Sequence, residues 1–181
     1  MISTSFNGLL SDRFFKNLFP IPASNDFHYG RRTPDFVLPD LTNDTSVQLS
    51  QFWGQQPVVL AFTRIFTEKQ YCPVCFPHIQ ALNQQYAEFR DRGIALLMIT
   101  STDEQQSKIV VADLGLQMPL LSDPTCQVFR LYQTGQALGA PLPAQFVLDT
   151  QGRLRYKHVF SFLAHNASPE TLWQCLETPQ D

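Results

Sequence analysis

The stretch Val58-Val59-Leu60-Ala61-Phe62, followed by Cys72-Pro73-Val74-Cys75, decides the fold of this chain. The first part is a short, uninterrupted apolar run rich in β-branched residues, which predicts a strand buried on both faces. After the second cysteine, apolar residues recur at spacings of three and four as far as Phe89, which predicts a helix with Cys75 on its inward side. The two cysteines therefore lie where a buried strand gives way to a helix.

This position favours redox chemistry at the cysteine pair. Cys72 lies at the start of the predicted helix, where unpaired amides and the positive end of the helix dipole stabilise a thiolate, the reactive form of cysteine. Cysteines two residues apart at such a turn can close a disulfide with little backbone movement. Our hypothesis is that Cys72 attacks and Cys75 resolves.

Two other interpretations of the pair remain open. His78 follows Cys75 by three residues, so the motif resembles half of a zinc site. A structural zinc site needs four ligands, and no second Cys-x-x-Cys or His-x-x-x-His motif appears in the chain. The pair could also be two buried, unreactive thiols. We expect no metal and no bound cofactor.

Composition narrows the function classes. With 181 residues, 44% of them hydrophobic, the chain is expected to form one core domain. A net charge of -3 argues against a nucleic-acid partner, and the absence of a long apolar segment argues against a membrane partner. Four cysteines are too few for a disulfide framework in a chain of this length, and they fit a reducing compartment. We expect a cytoplasmic protein.

Residues 1–30 form a candidate amphipathic arm before the core domain. Apolar residues recur at roughly helical spacing from Phe6 through Leu9 and Leu10 to Phe19, and prolines then end the pattern. Such a stripe packs on its own domain, on a second copy of the chain in a homodimer, or on another partner. The pattern leaves these alternatives open.

The rest of the chain predicts an α/β domain. A second continuous apolar run, Ile94–Ile99, makes strand, helix and strand a right-handed βαβ unit with parallel strands. A strand-turn-strand pattern over residues 35–49 predicts a hairpin before this unit. After it follow a capped helix from Thr102 to Leu114 with Ile109, Val110 and Leu114 inward, a loop at 135–143, a hairpin at 146–156 and a final helix after Ser168. Reactive groups collect beyond the carboxyl ends of parallel strands, where Cys72 falls.

Four stretches, in this order, resemble the alkyl hydroperoxide reductase C and thiol-specific antioxidant (AhpC/TSA) family. They are Thr33–Asp40, Leu49–Phe52, Ser122–Pro124 and Phe146–Gly152. The resemblance covers about residues 31–177 and implies a thioredoxin-like fold, a central mixed sheet flanked by helices. It also implies a thiol-dependent oxidoreductase.

Several positions depart from the peroxiredoxin pattern. Peroxiredoxins have Pro seven and Thr or Ser three residues before the peroxidatic cysteine, and counting back from Cys72 gives Ile65 and Lys69. The family's arginine before the Phe-Val-Leu-Asp strand is replaced by Pro143. That proline resembles the cis-proline that faces the thiols in thioredoxin and TlpA-like reductases, with Pro141 as a rival. Tyr71 occupies the place of the tryptophan that usually precedes the first cysteine.

The resemblance therefore implies a redoxin that cycles Cys72 and Cys75 between dithiol and disulfide, with two competing substrates. One is a protein disulfide, and the other is a peroxide, which would make Cys72 a peroxidatic thiol; an external thiol donor would reset the pair. Glu68, Lys69 or water would move the proton. A third hypothesis is a non-enzymatic, redox-responsive module whose arm docks a partner.

The other two cysteines are weaker candidates. Cys126 lies near a helix start, which could lower its pKa, although we expect a half-buried apolar filler. Cys175 follows the apolar spacing of the last helix and is expected in the core. Arg130 could approach the thiols, although a solvent-facing arginine is the simpler interpretation.

Overall fold

The computed structural model describes residues 12–24, 26–161 and 166–177 and contains a seven-stranded mixed sheet between layers of helices. The strands are β1 Val37–Asp40, β2 Thr45–Gln48, β3 Val58–Phe62, β4 Ile65–Thr67, β5 Gln70–Tyr71, β6 Ala95–Thr100, β7 Leu120–Ser122, β8 Gln136–Ala137, β9 Ala140–Pro141, β10 Ala144–Leu148 and β11 Leu154–Val159. The helices are α1 Asp12–Lys16, α2 Cys75–Gln84, α3 Tyr86–Asp91, α4 Glu104–Leu114, α5 Gln127–Leu131 and α6 Pro169–Glu177.

Strand β3 lies inside the large sheet, whose strand order is β11-β10-β3-β6-β7-β1-β2. It pairs in parallel with β6, with Val58 opposite Ala95, and antiparallel with β10, with Phe62 opposite Ala144. The expected parallel β3-helix-β6 unit and the two flanking hairpins, β1–β2 and β10–β11, are confirmed. The sheet is thus mixed and flanked by helices, as expected.

Both faces of β3 are buried, which explains its uninterrupted apolar sequence. Val58, Leu60 and Phe62 belong to one apolar layer, and Val59 and Ala61 belong to the other. Each of the five is at most 1% exposed. Burial of a Val, Leu or Phe side chain contributes roughly 1.5–3 kcal/mol, so both layers fix this strand and the point at which the chain leaves it.

The single helix expected from Cys75 to beyond Phe89 is two helices, α2 and α3. Gln85, with φ −99° and ψ 9°, departs from helical geometry between α2 and α3. Its side chain amide donates to the Glu170 carboxylate of α6 over 2.9 Å. A one-residue break barely changes the apolar spacing, so the sequence pattern did not reveal it.

Helix α4 has the expected ends but a partly different inward face. The Asp103 side chain caps it by accepting from Gln106 N–H over 2.8 Å, and Gly115 ends it in the left-handed conformation that glycine favours. Val110 is buried as expected. Ile109 is 37% exposed, so its predicted inward position is wrong, because residues adjacent in a helix point about 100° apart.

Two short hairpins occupy segments expected to be loops. Strands β4 and β5 form a hairpin in the approach to Cys72, and β8 and β9 form another within residues 135–143. The β8–β9 turn consists of Leu138 and Gly139, both with positive φ, as a two-residue type I′ turn requires. Both hairpins lie near the cysteine pair and matter for the site.

The described part of the N-terminal arm packs on its own domain. Ile21 pairs with Gln136 of β8, and the Arg13 guanidinium donates to main-chain carbonyls of Phe66 and Ser101. Helix α1 is short, and the apolar positions Phe6, Leu9 and Leu10 of the expected arm lie outside the described residues. None of the described helices has the length and apolarity that a membrane crossing requires.

Asp123 fixes the start of α5. Its buried carboxylate accepts hydrogen bonds from the main-chain N–H groups of Gln127, Val128 and Phe129, over 3.0, 2.8 and 3.2 Å. These amides have no helical partner of their own at the end of a helix. The family-like Ser122–Pro124 stretch therefore has a structural role, holding α5 against the sheet.

We expect Asp123→Ala to lower the free energy of unfolding by about 2 kcal/mol, because three N–H groups lose their acceptor in a buried place. Urea unfolding followed by circular dichroism measures this change. The control is Asp91→Ala, an exposed position that should stay within about 0.5 kcal/mol of wild type. Equal effects of the two substitutions would contradict this role for Asp123.

Candidate active site at the Cys72–Cys75 pair

The β4–β5 hairpin brings the chain back to the carboxyl end of β3 before the first cysteine. Beyond Phe62, the Thr63 N–H still bonds to Ile99 O of β6 over 2.9 Å. The chain then runs through β4 and β5 and closes on itself, where the Cys72 N–H donates to Arg64 O over 3.3 Å. The hairpin therefore places Cys72 beside Arg64 at the end of the central strand.

The two cysteines lie at the start of α2 with unequal exposure. The Cys72 carbonyl accepts from the N–H groups of both Cys75 and Phe76 over 3.0 Å, which begins the helical winding. Cys72 is partly exposed, whereas Cys75 is fully buried. Both are free thiols. The expected inward position of Cys75 is confirmed, and a substrate can reach only Cys72 directly.

A hydrogen bond between the two thiols, donated by Cys75 to the Cys72 sulfur, drives their pKa values apart. It lowers the pKa of Cys72 to about 5, helped by the N–H groups of Cys75 and Val74 and by the Arg64 charge, against the opposing effect of burial. The same hydrogen bond, with burial next, raises the pKa of Cys75 far above its ordinary value. Near neutral pH the pair therefore holds one thiolate at Cys72 and one proton at Cys75.

Arg64 is a functional candidate that the sequence reasoning missed. Its side chain is 8% exposed and its positive charge favours the thiolate forms of both cysteines. The guanidinium lies 4.8 Å from the Phe66 ring centroid and donates to the carbonyls of Ala137 and, over 3.3 Å, Leu138. The peroxiredoxin positions three and seven residues before Cys72 are Lys69 and Ile65, so the family pattern did not point to Arg64. The signal available was a basic residue directly after a buried strand.

Tyr71 packs beside the pair. Its ring lies 5.2 Å from that of Phe76, and its hydroxyl donates to Glu68 O over 3.3 Å. Burial raises the pKa of this hydroxyl. Tyr71 thus covers the start of α2 with an uncharged ring, and its assignment to the site stays a prediction.

Pro143 directly precedes β10, beside the carboxyl end of β3. It is buried and precedes Ala144, which pairs with Phe62. The described residues contain no cis peptide bond, so the expected cis bond before Pro143, or before its rival Pro141, is not present. The short connection from β9 to β10, which contains Pro143, has trans peptide bonds throughout. A role for Pro143 in the site stays a prediction.

His78 is held by the fold and not by the thiols. It is buried on α2, and its Nε2 lies 2.9 Å from Ala167 O. Burial lowers its pKa to about 4, so the ring is neutral near pH 7. Among the described residues, no group of three or more His, Cys, Asp or Glu side chains is arranged to hold a metal ion.

The remaining sequence candidates lie away from the pair or are protected. Cys126 is buried and burial raises its pKa, so the alternative of a lowered pKa is wrong, and the residue is an apolar filler that is more deeply buried than expected. Cys175, expected in the core, is only partly buried, with its thiol donating to Thr171 O over 2.9 Å. Arg130 is exposed and donates to Thr125 O, whereas Glu68 and Lys69 lie at the turn between β4 and β5.

A family model described as the AhpC/TSA family matches residues 29–157 of the chain. The chain belongs to the AhpC/TSA family. The match includes β3, the cysteine pair and β10, so the predicted resemblance is confirmed for the part of this AhpC/TSA protein that builds the site. A thiol-dependent oxidoreductase function follows at this general level.

Similar solved structures show the same thioredoxin-like fold. Peroxidoxin BcpB from Mycobacterium tuberculosis has a TM-score of 0.68 at 22% identity, covering 85% of this chain and 99% of its own. AhpC from Enterococcus faecalis has a TM-score of 0.70 at 15% identity, covering 83% and 92%. A Chlorobium tepidum protein described as thiol:disulfide interchange protein DsbE has a TM-score of 0.63 at 24% identity, covering 83% of this chain and 99% of its own. No curated protein matches this AhpC/TSA chain.

We expect Arg64→Gln to raise the pKa of Cys72 by about one unit, because an opposite charge near a thiolate stabilises it. The rate of iodoacetamide alkylation at Cys72, followed by peptide mass spectrometry from pH 4 to 9, measures this pKa. Arg64→Lys keeps the charge and should restore part of the shift, and Arg130→Gln at an exposed arginine is the control. An unchanged alkylation profile in Arg64→Gln would contradict the assignment.

The lowered pKa of His78 predicts a loss of stability in acid. The unfolded chain binds a proton at His78 near pH 6.5, whereas the folded chain resists it down to about pH 4. Stability therefore falls as pH drops from 6.5 to 4, by about 3 kcal/mol from this residue. Urea unfolding across that window should show a flatter slope for His78→Gln than for wild type. His28→Gln, at an exposed position, should keep the wild-type slope.

Proposed function

We propose that this AhpC/TSA protein is a thiol-disulfide oxidoreductase that uses Cys72 as nucleophile and Cys75 as resolving thiol, with protein disulfides as its substrates. The observation that carries the proposal is the unequal exposure of two thiols in one Cys-x-x-Cys motif, with Cys72 partly exposed and Cys75 buried. The opposite directions in which their pKa values are shifted agree with it. An exposed thiolate next to a buried, protonated thiol is the arrangement that disulfide exchange requires.

The first step forms a mixed disulfide. The Cys72 thiolate attacks one sulfur of the substrate disulfide, the substrate S–S bond breaks, and the leaving thiolate takes a proton from solvent. Because Cys72 then no longer carries a negative charge, the hydrogen bond that held the proton on Cys75 loses its charged acceptor. The pKa of Cys75 therefore falls at the moment when Cys75 must act.

The second step releases the product. Cys75 gives up its proton and attacks the Cys72 sulfur, which breaks the mixed disulfide and frees the second substrate thiol. The protein is left with a Cys72–Cys75 disulfide, and the substrate has gained two electrons and two protons. Two thiols of an external donor restore the dithiol and become a disulfide themselves.

Four free cysteines fit a reducing compartment such as the cytoplasm.

Arg64 supports a second candidate, peroxide reduction. The family's usual arginine position holds Pro143, but a buried arginine next to Cys72 comes from the end of β3 instead. In this candidate the Cys72 thiolate displaces hydroxide from hydrogen peroxide and becomes a sulfenic acid. Cys75 then condenses with it to give the disulfide and water.

A pair of reactions separates the two candidates. We expect the reduced protein to be oxidised by a protein disulfide such as that of insulin much faster than by hydrogen peroxide, whose rate should be that of an ordinary thiolate. Stopped-flow mixing with mass spectrometry of the Cys72–Cys75 disulfide measures both rates. A peroxide rate orders of magnitude above a free thiol's would favour the second candidate.

Cys75→Ser should trap the first intermediate. Without the resolving thiol, the mixed disulfide between Cys72 and the substrate should accumulate as a stable adduct, visible by non-reducing electrophoresis. Cys72→Ser should form no adduct, and Cys175→Ser, the matched control, should turn over like wild type. Adducts that form equally in Cys72→Ser would show that another thiol is the nucleophile.

A further inference from the structure

The arm segment, residues 12–24, is bonded to the β8–β9 hairpin along its main chain. Ile21 and Gln136 exchange two N–H to carbonyl hydrogen bonds of 2.8 Å, and Gly139 N–H donates to Asn17 O over 3.0 Å. The Phe14 ring packs so closely on Gly139 that a Cβ there would lie 2.0 Å from a ring carbon. The arm segment and the hairpin are therefore one packed unit.

The Gln136 side chain adds a second attachment. Its Nε2 group donates to the carbonyls of Lys16 and Phe19, each over 3.1 Å. These two carbonyls lie at and beyond the end of α1, where helical carbonyls lack main-chain partners. One side chain of the hairpin thus satisfies the end of the arm helix.

The hairpin in turn holds Arg64. Carbonyls of Ala137 and Leu138, in and next to its turn, accept from one terminal nitrogen of the guanidinium, and Arg64 Nε has no hydrogen-bond partner within the described ranges. A buried guanidinium with so few partners would gain hydration by moving outward. The hairpin carbonyls therefore decide where this charge lies.

The arm segment also contacts the other support of Arg64. Phe66, whose ring stacks on the guanidinium, belongs to β4, and the Arg13 guanidinium donates to Phe66 O and to Ser101 O at the end of β6. Burial lowers the pKa of Arg13, although its charge also interacts favourably with Cys126 and Asp103. The arm segment thus holds both hairpins between which Arg64 lies.

We propose that the arm segment is part of the active site. Its Phe14, together with Gln136 of the β8–β9 hairpin, is a positioning residue that keeps Arg64 beside Cys72 and so keeps Cys72 reactive. The inference rests on the proposed function, because it concerns the same nucleophile. It assigns a role in thiol activation to a segment that touches neither cysteine.

Among the described residues, Arg64 is the charged side chain that lowers the pKa of Cys72. The Cys75 thiol faces it from α2, and His78 on the same helix is neutral near pH 7. Glu68 and Lys69 lie in the β4–β5 turn and carry opposite charges. Displacement of Arg64 therefore removes the positive charge that stabilises the Cys72 thiolate.

The test compares the Cys72 pKa in the full-length chain with and without these contacts. We expect Phe14→Ala/Gln136→Ala to raise it by about as much as Arg64→Gln does. A rise of one unit from about 5 slows alkylation about tenfold at pH 4, because below both pKa values the rate follows the small thiolate fraction. Peptide mass spectrometry follows Cys72 alone. The matched control is Phe15→Ala/Gln105→Ala, two exposed positions, which should keep the wild-type profile.

A double-mutant cycle separates positioning from general destabilisation. In an Arg64→Gln background, the Phe14 and Gln136 substitutions should cause no further rise, because the charge they position is absent. An equal rise in that background would overturn the proposal. The proposal would also be overturned if the Cys72 pKa stayed unchanged both in Phe14→Ala/Gln136→Ala and in Gly139→Ala, whose new Cβ forces the Phe14 ring away. Alkylation needs no substrate, so a failure of disulfide turnover alone would leave this result standing.

Discussion

The structure depends on the burial of β3 between two apolar layers and two partner strands. A strand that pairs on both edges and packs on both faces cannot shift its register without exposing its whole apolar sequence. The chain therefore leaves the sheet at Phe62 in one fixed place. Arg64 follows two residues later and α2 begins at Cys75, so both take their starting positions from that fixed point.

The site itself is built on an unequal sharing of one proton. Two identical thiols differ in reactivity because one lies at a partly exposed turn and the other is buried beneath it. The hydrogen bond between them is strongest when only one is charged, so a single interaction both activates Cys72 and silences Cys75. In the proposed reaction, a new bond at Cys72 removes the negative charge that holds the proton on Cys75, so the first step reverses this arrangement.

Much of this could be predicted from the sequence because it depends on local patterns. The β3 run, the helical spacing after Cys75 and the parallel β3–β6 unit required only periodicity, and the ordered motifs of residues 33–152 indicated the AhpC/TSA family from the sequence alone. Tyr71, Cys72 and Cys75 lie together for the simple reason that they are neighbours in the chain. These parts of the fold and site needed no long-range information.

Arg64 was missed for the opposite reason. Its role depends on carbonyls of Ala137 and Leu138, about seventy residues away, in a hairpin too short to show an alternating pattern. The break at Gln85 and the exposure of Ile109 also depend on tertiary packing that spacing does not encode. The cis bond at Pro143 was inferred from a fixed offset in other redoxins, and the β9–β10 backbone does not adopt it.

The low pKa of Cys72 also determines where the protein is chemically vulnerable. Oxidants attack thiolates, so damage concentrates on the one cysteine of the four that is both ionised and accessible. In the proposed peroxide reaction Cys75, directly beneath, limits that damage, because it is a neighbouring thiol with which a sulfenic acid at Cys72 condenses. On the proposed function, the buried partner therefore protects Cys72 against irreversible oxidation, in addition to completing each turnover.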